Sequence, residues 1–323
     1  MRTRTIAVAM AIALAAALGA CGDDDDSGDD GNAASSAAKS TEPAKLGLIM
    51  KFPVDFFLTM ESAAKEWDAT TDEATVTTGI GKSATDDAGQ IDLIESMVTQ
   101  GVDGIAITPT SPAVIPALDA AVAEGVKVVL IDNDLPDWDK KSAVVATDNL
   151  KGGQLAGQYI AEQLDSGATV AVLEGVPGVP ALDDRVKGME EGLASAGIKV
   201  VGKAPTDCDQ NKGVTAAADL LTAHPDVDAI YGACGPPIVG AIQSIKRAGR
   251  EPDGILVVGF DALPDEIKQI DAGLEDASVA QFPTKMGELG METLLKAVQG
   301  ESVEPNVDTG TEIVTKDNAS EFR

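Results

Sequence analysis

Four polar side chains in this chain have the chemistry needed to bind the hydroxyl groups of a small molecule. Asp132 and Asp261 each carry two carboxylate oxygens, and a carboxylate accepts the two hydrogens of a vicinal diol in a fork. Asn133 and Arg185 donate N–H groups to ring and hydroxyl oxygens. Together they predict a polar pocket for a polyhydroxylated ligand.

Aromatic and basic residues complete this candidate pocket. Phe56 and Phe57 are consecutive, and either ring could pack on the C–H face of such a ligand. Lys51 and Arg185 nearly cancel the charges of the two acids, which favours a neutral ligand. A buried polar site of this kind rejects a ligand that leaves its groups unpaired, which gives specificity.

Each of these residues also has a purely structural interpretation. The alternatives are a helix core for Phe56 or Phe57, a turn cap for Asp132, a solvated helix charge for Arg185, an N-cap of the following helix for Asp261 and a surface position for Lys51.

Alternating strand and helix patterns must position these residues. The strands are predicted at 45–50, 74–79, 103–108, 126–131, 169–173, 198–201, 228–231, 255–258 and 277–280. Helical patterns cover 56–67, 91–98, 114–123, 182–195, 211–223, 238–248, 263–272 and 284–299. This α/β alternation predicts two doubly wound, Rossmann-like domains with parallel sheets, and ligands bind beyond the carboxyl ends of such strands.

Length and charge limit the classes of partner. About 280 residues after position 44 suffice for two domains of ordinary size. The 24 Lys and Arg residues face 53 Asp and Glu residues, a formal net charge of −29. So acidic a surface argues against binding to nucleic acid or docking on anionic lipid.

The beginning of the chain has the pattern of an export signal. Arg2 and Arg4 precede an apolar run, which ends in Leu18-Gly19-Ala20-Cys21 and resembles a bacterial lipoprotein signal. The resemblance implies cleavage after residue 20 and lipidation of Cys21; the alternative is a plain signal peptide with an incidental cysteine. Residues 21–44 are acidic and poor in apolar side chains, so we expect a disordered linker.

The segments that follow the predicted strands form a recognisable series. They include Met50–Phe57, Thr108-Pro109-Thr110, Ile131-Asp132-Asn133, Thr147-Asp148-Asn149, Asp184-Arg185, Val258–Asp261 and Ala280–Pro283. In this order and spacing, residues 45–316 resemble the ribose-binding branch of the type I periplasmic binding proteins, which deliver sugars to ABC importers. The sequence has no Ser-His-Asp set, no cluster of metal ligands and no Gly-rich phosphate loop after a strand, so we expect neither an enzyme nor a bound cofactor or metal.

The resemblance implies roles for individual residues. Phe56 and Phe57 would sandwich the sugar ring, while Asp132, Arg185, Asp261 and Gln281 would bind its hydroxyl groups. The departures from ribose binders are Asn133 in place of an arginine, Thr108 and Cys234 each in place of an asparagine, Cys208 in place of an aromatic residue, and Lys51, which is similar to a lysine of autoinducer-2-binding and rhamnose-binding relatives. These departures leave the identity of the ligand open.

Two cysteines remain once Cys21 is assigned to the lipid. Cys208 and Cys234 follow strands of the second domain in an oxidising compartment, where cysteine pairs tend to join. We predict a disulfide in the wall of the cleft. A nucleophilic thiol is the alternative, but no histidine is near to activate it.

The resemblance further implies that the two domains close on the ligand through a three-segment hinge near Thr147, Gln281–Phe282 and Gly310. The closed form of a monomeric, lipid-anchored, extracytoplasmic protein would then dock on ABC permease subunits. The alternative is a sensory receptor for a sugar-like signal such as autoinducer-2. The expected ranges are 45–147 with 282–310 for the first domain and 148–281 with 311–323 for the second.

Overall fold

The computed structural model describes residues 42–250 and 254–322. The predicted signal at 1–20, Cys21 and most of the predicted linker at 21–44 lie outside the described residues. The strands in chain order are β1 (Ala44–Met50), β2 (Ala74–Ile80), β3 (Gly104–Ile107), β4 (Lys127–Ile131), β5 (Ala143–Ala146), β6 (Thr169–Glu174), β7 (Lys199–Pro205), β8 (Ala229–Gly232), β9 (Leu256–Asp261), β10 (Ala277–Ala280), β11 (Asn306–Asp308) and β12 (Glu312–Thr315).

Helices connect most of these strands. They are α1 (Asp55–Asp68), α2 (Asp87–Thr99), α3 (Ile115–Ala123), α4 (Asn149–Gln163), α5 (Pro180–Leu193), α6 (Gln210–Ala223), α7 (Gly235–Arg247), α8 (Pro264–Asp271) and α9 (Pro283–Val298). None of the described helices is both long and apolar enough to cross a membrane.

Two sheets of six strands confirm the predicted fold class. The first sheet has the order β11-β5-β4-β3-β1-β2 and is parallel throughout. The second has the order β12-β10-β9-β8-β6-β7 and is parallel except for β12, which runs antiparallel to β10. Apolar clusters cover both faces of each sheet, as a doubly wound fold requires.

The same strand order recurs in the two sheets and creates a crevice in each. β1 lies between β2 and β3, and β6 lies between β7 and β8, so the connections leave each central strand toward opposite faces. Such a switch point opens a crevice beyond the carboxyl ends of the strands, which is where doubly wound sheets bind ligands.

The chain passes between the sheets after β5, after β10 and after β11. The helix α4 packs on β9, β10 and β12 of the second sheet, and α9 packs on β1, β3, β4 and β5 of the first. These connections form the hinge region between two lobes; the residue ranges expected for the two domains stay a prediction.

The sequence patterns missed β5, α4, β11 and β12. The three strands have only three or four residues each, so their alternation is too brief to recognise. Helix α4 contains Gly152, Gly153 and Gly157, and glycine disfavours a helix by about 1 kcal/mol relative to alanine. These glycines have a packing role instead, because a Cβ at Gly153 would overlap the carbonyl of Arg185 in α5.

Candidate functional site

A cleft lies between the lobes, beyond the carboxyl ends of both sheets. It contains about 580 Å³ of space not occupied by atoms, part of it open to solvent. The predicted site residues that line it are Lys51, Phe56, Phe57, Asp132, Asn133, Arg185, Cys234, Asp261 and Gln281.

Thr108 is the predicted site residue that does not line this cleft. Its side chain is fully buried, and its backbone carbonyl accepts a 2.7 Å hydrogen bond from Gln90 Nε2. The Thr108 hydroxyl has no hydrogen-bond partner among the described residues. The position after β3 is therefore occupied by a residue that faces the protein interior.

Strand ends place the two acids. Asp132 follows β4 directly, and Asp261 is the last residue of β9. Both have left-handed backbone conformations, with φ of 65° and 105°, which are uncommon for residues other than glycine. Hydrogen bonds hold these turns: Asp132 N donates to Val145 O at 3.0 Å, and Ala262 N donates to Ser278 Oγ at 3.0 Å. Such strained residues persist where the surroundings hold them, often at functional sites.

Asp261 is the centre of a hydrogen-bond network in the second lobe. Its Oδ1 accepts from Arg185 Nη1 at 3.0 Å and from Gln281 Nε2 at 2.6 Å, and its Oδ2 accepts from Gly235 N at 3.1 Å. Gly235 is the first residue of α7, so Asp261 does not cap the helix that follows it; α8 is preceded by Leu263. Burial raises the pKa of Asp261, while the Arg185 guanidinium opposes that rise.

Arg185 is held rigidly by the protein and is only 3% exposed, so its interpretation as a solvated helix charge is wrong. Its Nε donates to Asn149 Oδ1 at 2.8 Å, and its Nη1 also donates to Ala233 O at 2.9 Å. The guanidinium lies 3.9 Å from the centre of the Phe260 ring, an attractive cation–π geometry. These contacts fix the direction in which Arg185 faces the cleft.

Lys51 and Asp132 form a second charged group, on the side of the first lobe. Lys51 is 6% exposed, so its interpretation as a surface lysine is wrong. Burial lowers the pKa of Lys51 to about 8, with the Asp132 charge opposing that shift. Burial also raises the pKa of Asp132, and the positive charges of Lys51 and Arg185 oppose this rise. Neither side chain forms a hydrogen bond within the described residues, which leaves both available to a ligand.

The paired phenylalanines belong to the core of the first lobe and also line the cleft. Phe56 and Phe57 are 6% and 5% exposed and pack in the apolar core of the first lobe, yet both line the cleft. Their rings are arranged edge to face with centroids 5.1 Å apart. Phe52 packs on Phe57 at 5.3 Å and adds a third ring that the sequence analysis did not assign.

Cys208 and Cys234 are joined by a disulfide whose Cα atoms are 5.6 Å apart. Both cysteines line the cleft. Closing a loop of this length stabilises the fold by roughly 3–4 kcal/mol on the chain-entropy model. The disulfide therefore holds two loops of the second lobe at the edge of the cleft.

The sequence analysis missed residues that support or shape the site. Asn149 and Phe260 contact Arg185 and hold it in place. In the sequence, only their positions next to Asp148 and Asp261 could have indicated this role. The apolar lining was not foreseen either; it comprises Phe52, Val54, Ala84, Val176, Leu182, Pro236 and Leu263. Within the described residues, no cluster of His, Cys, Asp and Glu is arranged to hold a metal ion.

Comparisons with known proteins give consistent results. Residues 46–302 match the family model described as a periplasmic binding protein domain. The ribose import binding protein of Bacillus subtilis is 36% identical over 232 residues, 72% of this chain and 74% of that protein. The D-ribose/D-allose-binding protein of Pseudomonas aeruginosa is 33% identical over 291 residues, 86% of this chain and 91% of that protein.

Solved structures agree with the sequence relatives. A solute-binding protein from Burkholderia graminis, determined in complex with D-arabinose, superposes with a TM-score of 0.81 and 30% identity. That match covers 87% of this chain and 98% of the other.

Proposed function

Because this chain belongs to the periplasmic binding protein family, as a ribose-binding-protein-like member of type I, we propose that it is the extracytoplasmic solute-binding protein of an ABC importer. Its cargo is a neutral sugar or sugar alcohol, which it delivers to the membrane permease. The family is not enzymatic, which confirms the expectation that this chain is not an enzyme.

The observation that supports this proposal best is the set of polar groups in one cleft. Lys51 and Asp132 follow strands of the first sheet, while Arg185 and Asp261 belong to the second lobe. All four side chains line the same cleft. Two acids and two bases balance, which suits a neutral ligand whose hydroxyl groups both donate and accept.

Hinge closure is the proposed mechanism of capture. The first domain is assigned residues 45–147 and 282–310, and the second 148–281 and 311–323. A ligand that bridges Asp132 and Phe57 to Arg185 and Asp261 has more contacts in the closed form and so favours it. The closed monomer then docks on the permease.

The proposal includes a lipid anchor at Cys21, after removal of residues 1–20. Acyl chains on Cys21 would hold the protein on the outer face of the cell membrane. A Cys21→Ser variant expressed in the native host tests this: we expect it to appear in the soluble extracytoplasmic fraction, whereas the unchanged protein sediments with membranes. Equal distribution of the two proteins would contradict the anchor.

A thermal-shift screen of the purified protein against pentoses, hexoses, sugar alcohols and autoinducer-2 tests the cargo. A ligand at a hundred times its Kd adds about 2.7 kcal/mol of stability, which raises Tm by several degrees. We expect a shift with at least one sugar or polyol. A shift with autoinducer-2 alone would favour the sensory alternative, and no shift with any compound would refute sugar binding.

A further inference from the structure

One wall of the cleft is apolar and separate from the four cores that cover the sheets. It is a small cluster of Val176, Val179, Leu182, Cys208 and Cys234 in the second lobe. Four of its members line the cleft; Val179 does not. We call the four residues that line the cleft the disulfide wall.

The disulfide wall has almost no capacity for hydrogen bonding. Both sulfurs are bonded to each other, so neither cysteine has an S–H to donate. The neighbouring backbone groups are already occupied: Ala233 O accepts from Arg185, and Gly235 N donates to Asp261. A ligand hydroxyl placed here would lose its water and gain no partner, which is unfavourable.

The loop that carries Cys208 is held firmly in place. Asp207 and Cys208 both have left-handed backbone conformations, with φ of 50° and 54°. The disulfide ties them to the start of α7, and Thr206 Oγ1 donates to Glu174 O at 2.6 Å. The disulfide therefore has a fixed position in the cleft.

The polar groups lie beside this apolar wall. Cys234 is adjacent in sequence to both Ala233 and Gly235, which contact Arg185 and Asp261. A ligand bound by Arg185 and Asp261 must therefore pass close to the disulfide. Its hydroxyl groups would satisfy the polar side, and a C–H group would be needed at the wall.

We propose that the cleft is specific for a deoxysugar whose methyl group lies against the disulfide and Leu182. This inference rests on the proposed sugar-binding function and narrows it to a substrate class. A methyl group gains from burial in an apolar pocket, whereas the hydroxymethyl group of the parent sugar must give up water.

Isothermal titration of the purified protein with matched pairs of sugars tests the proposal. The pairs are L-rhamnose with L-mannose, L-fucose with L-galactose, D-fucose with D-galactose and 6-deoxy-D-glucose with D-glucose. For the pair that binds, we expect the deoxysugar to bind about tenfold or more tightly, since one apolar group in a fitted pocket discriminates to that extent.

The outcomes separate this inference from the proposed function. Equal or tighter binding of the hydroxymethyl sugar, or tighter binding of a pentose such as D-ribose, would overturn the deoxysugar specificity and leave sugar binding intact. If no sugar or polyol binds, both the inference and the proposed function fail.

Two isosteric variants test whether the disulfide wall causes the preference for the deoxysugar. Val176→Thr keeps the side-chain volume but places a hydroxyl on the disulfide wall, so we expect the preference for the deoxysugar to fall at least threefold. Val179→Thr makes the same change at a residue of the cluster that does not line the cleft, and its preference should equal that of the unchanged protein. An unchanged preference in Val176→Thr would contradict the assignment of the wall.

Discussion

The guanidinium of Arg185 makes several hydrogen bonds with other residues of the protein. Its Nε and Nη1 make hydrogen bonds with Asn149, Ala233 and Asp261, while Nη2 makes none within the described residues. We infer that Nη2 donates to the ligand and that the other contacts set its direction. Charged hydrogen bonds of this kind contribute about 1.5–3 kcal/mol each.

The first prediction concerns Asp261. Asp261→Asn keeps the shape of the side chain but removes its charge, so Arg185 loses its ion pair and a ligand diol loses its acceptor. We expect affinity for the cognate sugar to fall about 100-fold or more, measured by isothermal titration. Asp265→Asn is the control, because Asp265 is exposed and pairs only with Lys268 among the described residues. Normal affinity in Asp261→Asn would show that the site lies elsewhere.

The second prediction concerns the pH dependence of binding. Burial lowers the pKa of Lys51 to about 8, so the ammonium present at pH 7 is lost as the pH rises through 8. If this ammonium donates to the ligand, affinity falls between pH 7 and 9. Lys51→Met should bind more weakly at pH 7 and lose this pH dependence, whereas the exposed-site variant Lys65→Met should keep it. Identical pH profiles for all three proteins would exclude Lys51 from the site.

At the scale of elements, the contact between α4 and α5 positions Arg185. A Cβ at Gly153 would overlap the carbonyl of Arg185, and a Cβ at Gly188 would overlap the carbonyl of Leu150. Glycines on both helices therefore allow their backbones to approach closely. Tyr231 also donates to Arg185 O, at 3.3 Å, from the sheet beneath.

The third prediction follows from this close approach. Gly153→Ala improves helix propensity but forces α4 away from α5, so overpacking should lower the free energy of unfolding by about 1–3 kcal/mol. It should also weaken sugar binding, because Arg185 moves with its helix. Gln158→Ala, at an exposed position of α4, should change stability by about 0.5 kcal/mol or less. Urea unfolding and titration measure both effects; a Gly153→Ala protein more stable than its parent would contradict the packing argument.

At the scale of the whole molecule, the second lobe contains a buried pair of acids behind the site. Glu266 and Glu275 are 0% and 2% exposed, and each carboxyl group alters the pKa of the other. Neither carboxyl oxygen of Glu275 has a hydrogen-bond partner among the described residues. Glu266 also accepts from Leu263 N at 2.9 Å and from Ser278 Oγ at 2.8 Å. Burial raises the pKa of Glu266 to about 8, and burial beside Glu266 raises the pKa of Glu275.

The fourth prediction is the resulting pH dependence of stability. Between the ordinary glutamate pKa near 4.5 and about 8, the folded protein holds more protons on this pair than the unfolded chain does. The free energy of unfolding therefore falls as the pH rises through this window. Glu275→Gln removes one charge from the pair, so it should reduce this loss by roughly 2 kcal/mol between pH 5 and 8.

Urea unfolding at several pH values measures this slope. Glu288→Gln, an exposed change on α9, should leave it unaltered. A Glu275→Gln protein with the same slope as its parent would show that Glu275 does not contribute to this pH dependence.

Much of the fold was predictable from the sequence because its signals are local. Apolar runs and helical periodicity identified every strand of five or more residues and every helix except α4. The end of a strand in a doubly wound sheet also indicates where ligands bind, which favoured Asp132 and Asp261, whereas the family resemblance added Lys51 and Gln281. Short strands and the glycine-rich α4 were missed because their local signal is weak.

The sequence by itself determined the fold class, the loops that carry the site and the types of polar group in it. Only the tertiary structure decided which groups meet: Arg185 with Asn149 and Asp261, Thr108 with Gln90, and the apolar disulfide wall with the cleft. Local patterns reflect interactions over a few residues. These partners are separated by 18 to 76 residues, so the packing of helices on sheets sets their distances and directions.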